Sequence, residues 1–136
     1  MYKEAAICII TVIAIIVANI LTENYTKSSV DESTKQLYQL KEEILLNKEN
    51  EEGKEKTNEK AKEHIDIIHK QWDEKYNVLA FYLEHNELEK IETELTGLRA
   101  SIETEEYEDA INELDKTVYL LKHIEEKNKM SWKNIF

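Results

Sequence analysis

Turn chemistry is scarce in this chain: 136 residues hold no proline, two glycines (Gly53 and Gly97) and one cysteine, Cys8. A β-rich fold needs turn residues between its strands, and they are missing. A single cysteine excludes an intramolecular disulfide and leaves the redox compartment unread. Cys8 follows Ile7, where a lipidation signal wants a small residue, so no lipid is expected on it. There is no glycine-rich nucleotide loop, no Cys/His ligand spacing and no serine elbow. No catalytic residue, cofactor or metal is therefore assigned, and the expectation is a protein that is not an enzyme.

Positive charge is also in short supply. The net charge of −11 gives a surface that repels polyanions, which argues against nucleic acid and anionic lipid as partners. Charged residues make up 35 % of the chain, and with Glu, Lys, Leu and Ile abundant the composition is that of long helices. The length allows one domain with an appendage.

The appendage is at the N-terminus. Ala5–Leu21, AAICIITVIAIIVANIL, has 17 residues, no charge, and only Thr11 and Asn19 as polar groups. As a helix it spans about 26 Å, slightly short of the ~30 Å hydrocarbon core. Tyr2 and Tyr25 flank it as interfacial aromatics do. A cleaved signal peptide needs a small-x-small site, and Ile16-Val17-Ala18 lacks the first small residue. The expectation is an uncleaved signal anchor over 5–21, with residues 1–4 cytoplasmic. Lys3 and the free amine stand against Glu4 on the short side, while Glu23, Lys27, Asp31 and Glu32 follow on the other. The positive-inside tendency then keeps the N-terminus in the cytoplasm and the C-terminal domain outside a single-pass cell membrane.

Residues 22–29 read as a polar juxtamembrane spacer and 30–136 as an extracytoplasmic helical domain. Ser29 with Glu32 forms a capping-box pattern opening helix A (30–47), whose stripe is Val30, Leu37, Leu40 and Ile44, with Leu45 beside it. The charged connection 47–60, NKENEEGKEKTNEK, buries nothing large and is expected to be mobile. Helix B (56–84) carries the best apolar face: Ala61, Ile68, His69, Trp72, Tyr76, Leu79 and Leu83 lie within about 60° of Ile65. Asn86, with Glu89 three residues on, is placed to cap helix C (87–102), striped by Leu88, Ile91, Leu95, Leu98 and Ile102. Gly97 inside it costs helix propensity and can allow a close approach. After a break at 103–105, helix D (106–127) is striped by Tyr107, Ala110, Ile111, Leu114, Val118 and Leu121, widened by Leu120 and Ile124. The tail 130–136 holds Met130, Trp132, Ile135 and Phe136, and either packs on the bundle end or serves as a partner-binding peptide. Short connections favour antiparallel neighbours. The fold class expected is all-α: an N-terminal transmembrane helix, then an antiparallel three- to four-helix bundle of helical hairpins. Leu37-x2-Leu40-x3-Ile44 and Leu95-x2-Leu98-x3-Ile102 are a partial internal echo.

The histidines are the only chemistry worth placing. His64 and His69 sit about 140° apart on helix B and cannot share one metal. His85 and His123 are expected at the same bundle end, with Glu84, Glu87 and the tail, where a polar site, a metal site or a proton-sensitive latch can form; the plain alternative is a histidine favoured by a helix C-terminus. Trp72, Tyr76, Phe81 and Tyr82 can line a ligand groove, but an aromatic stripe at helical spacing reads first as core, with Phe81 or Tyr82 off the main face as an exposed anchor for a partner.

Trp72-x-x-Lys75, Leu79-Ala80-Phe81-Tyr82-Leu83-Glu84-His85-Asn86-Glu87-Leu88-Glu89-x-Ile91-Glu92, and the close Leu120-Leu121-Lys122-His123-Ile124-x-Glu126-Lys127…Ser131-x-x-Asn134-Ile135-Phe136 resemble a family of small bacterial membrane-anchored helical proteins, the domain-of-unknown-function family 4363. The resemblance covers about residues 5–46 by pattern and 62–136 by residues. An acidic-aromatic-x-x-Ala turn, present at Glu106-Tyr107-x-x-Ala110, is missing from 47–60, which leaves the first hairpin's turn open. The resemblance implies cell-envelope residence and an all-helical exported domain, with no activity assigned. The function expected is a non-catalytic interaction or structural module, anchored in the membrane by its N-terminal helix and binding another envelope protein or itself, as in an extended coiled coil. The rival is a sensor or binder of a small ligand or metal near His85 and His123. Candidate interaction residues are Trp72, Phe81, Tyr82, His85, His123 and Trp132.

Overall fold

The computed structural model describes the backbone of residues 1–49 and 54–133, and the side chains of these except 54–57 and 131–133. Among the described residues four helices follow in order: α1 Tyr2–Glu49, α2 Lys54–Leu79, α3 His85–Glu103 and α4 Tyr107–Lys133. α1 packs on α2 and α4, and α3 packs on the same two, so α1 and α3 occupy one diagonal of a square.

The pairing is antiparallel and steps by two helical turns. Lys41–Asp115 and Lys48–Glu108 join α1 to α4, seven residues up one helix and seven down the other. Gln36–Gln71 and Glu43–His64 do the same between α1 and α2. That spacing keeps apolar positions facing inward along the bundle. The core holds the expected stripes: Leu37, Leu40 and Ile44; Ile65, Ile68, Trp72 and Leu79; Leu88 through Ile102; and Leu114, Val118, Leu121 and Ile124. Leu45 is exposed, one position off the α1 seam.

α1 is where the sequence reading needs most correction. Residues 22–29 are not a spacer, and Ser29 does not start a helix: α1 runs unbroken for 48 residues, about 72 Å. Thr26, Ser29, Val30 and Ser33 are buried at helical spacing on the face that continues into Leu37 and Leu40. Thr26 meets Tyr82 and Asn128, and Ser33 accepts a hydrogen bond from Lys75. The threonine hydroxyls donate to carbonyls in their own helix, Thr22 to Asn19 at 2.9 Å and Thr26 to Thr22 at 2.8 Å. The apolar run therefore extends out of the bundle on the same helix that forms one of its four corners.

Boundaries shift elsewhere. The 47–60 connection is helical from Lys54 onward, and the first hairpin's turn lies outside the described residues. α2 ends at Leu79, five residues short of expectation, because Tyr82 N–H and Leu83 N–H both turn back to the Leu79 carbonyl. Asn86 is not a cap. α3 begins at His85, its N-cap is Glu84 in an extended conformation, and no side chain caps it; burial of Leu88 and Ile91 fixes the helix phase instead. α4 starts at Tyr107 and continues through Lys133, so residues 130–133 extend the helix and do not fold back. At the α3–α4 turn Glu105 adopts a left-handed φ of 61°. Glu106 N–H there bonds Ser101 O, and Glu105 N–H bonds Ile102 O. This is the reversal that usually ends a helix on glycine.

Gly97 faces α4. A Cβ there would lie 2.8 Å from Glu113 Oε1, and Glu113 accepts a 2.8 Å hydrogen bond from the Ser101 hydroxyl. Gly97→Ala gains about 1 kcal/mol of helix propensity but displaces a carboxylate whose hydrogen bond offsets a similar amount. The substitution alone is expected to be near neutral. In a Glu113→Ala background it stabilises by about 1 kcal/mol, a difference that a double-mutant cycle by urea denaturation reads directly.

Candidate functional site

The end of the bundle from which the apolar helix emerges gathers most of the candidate residues. The α2–α3 turn (80–84), the start of α3, the C-terminal part of α4 and the Thr22–Thr26 turn of α1 meet there. Tyr82, half-buried, ties them together: its hydroxyl lies 2.9 Å from Thr26 Oγ1 and 3.3 Å from the Thr22 carbonyl, and its one proton serves one of these acceptors at a time. Asn128 Nδ2 donates to the same Thr26 oxygen from α4 at 3.4 Å. Burial pushes the Tyr82 phenol above its usual range, partly offset by the Thr26 hydrogen bond. The result is a small polar layer joining three elements just beyond Leu21.

Beside it, Lys127 of α4 reaches Glu84 at 3.1 Å and Glu87 at 3.6 Å. Hydrogen bonding to Lys90 chiefly, with the Lys127 charge adding, holds the Glu87 carboxyl below the usual carboxylate range. The cleft between these residues, lined by Tyr82, Glu87, Ile124 and Asn128, measures about 100 Å³. Small-molecule sites usually enclose about 300–1,000 Å³.

The six singled-out residues divide sharply. Trp72 is the largest fully buried side chain among the described residues and meets Tyr76 edge-on at 6.4 Å. Tyr76 in turn meets His85 at 5.7 Å, so an aromatic ladder climbs from the core to the surface. Phe81 is 90 % exposed at the tip of the α2–α3 turn. His85 and His123 share this end of the bundle but do not form a pair. Both are exposed, and His123 stacks on Tyr119 at 6.2 Å on α4 while His85 leans on Tyr76. Trp132 lies in the last turn of α4, and its side chain is outside the described residues.

A cluster that sequence spacing missed sits at mid-height between α2 and α3. His69 Nε2 lies 3.3 Å from Glu92 Oε1, and Asp73, one turn along α2, brings a third ligand-type atom within 4.8 Å of both. Glu92 Oε2 is buried with no hydrogen-bond partner. His64, its neighbour in sequence, instead faces Glu43 of α1 at 3.0 Å. The Asp73–His69 spacing of four was legible; the Glu92 contribution depends on how α3 registers against α2, which no local pattern specifies.

No curated protein and no solved structure matches the chain. Residues 20–135 match the family model described as "Domain of unknown function (DUF4363)", and the chain belongs to that family.

Proposed function

We propose that the chain is a single-pass membrane protein that displays an acidic four-helix bundle at the cell envelope as a non-catalytic interaction module. The observation that carries the reading is the continuity of α1. Its outer part has an apolar window with a mean hydropathy of 2.7 and none of its residues buried by the protein, and the same helix then becomes a corner of the bundle. Such an anchor holds the bundle at a fixed height and raises its effective concentration toward neighbours in the same membrane. The charge flanks favour a cytoplasmic N-terminus and an external bundle. The partner in this reading is another envelope protein or a second copy of the chain. Affinity capture from cross-linked membranes is expected to return one protein reproducibly, or the chain itself. Repeated capture of nothing specific sinks the proposal.

A second reading has its own observation. His69, Asp73 and the unsatisfied Glu92 oxygen form a ligand set for a divalent metal of imidazole and carboxylate preference, in place of the His85/His123 end. Calorimetric titration of the full chain with zinc is expected to give heat that His69→Ala and Glu92→Gln abolish and His85→Ala plus His123→Ala leaves intact. Equal heats in all four proteins remove this reading.

A further inference from the structure

We propose that the end of the bundle carrying the α2–α3 turn is seated in the membrane interface, with Phe81 inserted among the lipid headgroups as a second contact beside the anchor. The inference rests on the anchoring reading above and concerns a surface that reading does not use.

The height of the turn follows from its bonds to α1. Tyr82 is held at Thr22 and Thr26, and Thr22 is the first residue after the apolar run. On an unbroken helix Thr26 is about 7.5 Å from Leu21. The headgroup zone on each side of the hydrocarbon core is about as thick. Residues 80–84 connect a helix descending toward that plane with one leaving it, so the turn is the lowest point of the α2–α3 hairpin. Phe81 occupies it and is 90 % exposed. A phenyl ring fully in water at a helix turn has no packing role in the bundle.

The opposite corner agrees. Asn128 stands at the level of Thr26, and α4 continues five residues more, to Lys133, which descends about 7.5 Å to the level of Leu21. Met130, 63 % exposed, lies within that extension. Ion pairs flank this end: Lys127 with Glu84 and Glu87, and Lys129 with Glu125. An exposed Phe81 beside these ion pairs fits a zwitterionic lipid surface, and the net charge of −11 gives anionic lipid no advantage.

The test uses the full chain in phosphatidylcholine vesicles, with a nitroxide label on cysteine and relaxation by oxygen compared with relaxation by a water-soluble nickel chelate. Three single-cysteine proteins are needed: the native Cys8, Phe81→Cys and Glu63→Cys, the last two combined with Cys8→Ser. Glu63 is exposed on α2, about 27 Å above the turn. The expected result is oxygen-dominated relaxation at Cys8 and at position 81, and chelate-dominated relaxation at position 63. Relaxation at 81 that matches 63, with Cys8 still in lipid, overturns the seating while leaving the anchor in place. Chelate-dominated relaxation at Cys8 overturns both.

Discussion

Trp72→Ala is expected to lower the unfolding free energy by about 3–5 kcal/mol, the largest single loss available in the bundle. Trp72 is only 2 % exposed and lies on α2 among the stripes of the neighbouring helices, so its removal leaves a cavity that rigid helices cannot close. Domains of this size are held by about 5–15 kcal/mol in all; the variant should melt far earlier and unfold at much lower urea, read by circular dichroism. Trp72→Phe should cost clearly less. It keeps an aromatic ring for the edge-on contact with Tyr76, and it removes an indole N–H that is buried without an acceptor. If the two variants are equally destabilised, ring packing is not what Trp72 supplies. Because Tyr76 passes the contact on to His85, Trp72→Ala should also loosen the 80–84 turn, visible as faster amide exchange there than at the α3–α4 turn.

Periodicity made the interior of the bundle legible. Leu88, Ile91, Leu95, Leu98 and Ile102 recur at three and four residues, and each is buried to 2 % or less. The same logic placed Trp72 and the α4 stripe, and the residue resemblance led to the family that the chain belongs to. What failed was inference from polarity and from capping. Thr22–Ser29 is polar, yet buried hydroxyls satisfied within their own helix look like a loop only to a pattern of apolar residues. Asn86 had the right neighbours for a cap, but the burial of Leu88 and Ile91 set the start of α3 two residues earlier than expected. Pairings across helices were beyond reach in principle. That His123 stacks on Tyr119 rather than approaching His85, and that Glu92 completes a cluster with His69 and Asp73, are facts of rotation and register between elements.

Ile13→Arg is the substitution expected to separate the two halves of the molecule. Ile13 is the middle residue of Ala5–Leu21, about 12 Å from either end of the run. An arginine side chain there cannot easily carry its charge to the headgroups. A charge at the centre of a spanning helix costs about 2.5–3.5 kcal/mol on the insertion scale, which shifts the inserted-to-soluble ratio roughly a hundredfold. The run is already slightly short of a hydrocarbon core, so little surplus hydrophobicity offsets that cost. The carbonate-resistant membrane fraction should collapse for Ile13→Arg and hardly change for Ile20→Arg, whose charge sits at the interface. The melting of the bundle should be the same in both, because none of the apolar window is buried by the protein and the core face of α1 begins only at Thr26. Equal membrane fractions for the two variants would mean that the run does not span. A wild-type protein recovered mainly as a soluble species lacking these residues would mean that it is a cleaved signal, and that the bundle works without its anchor.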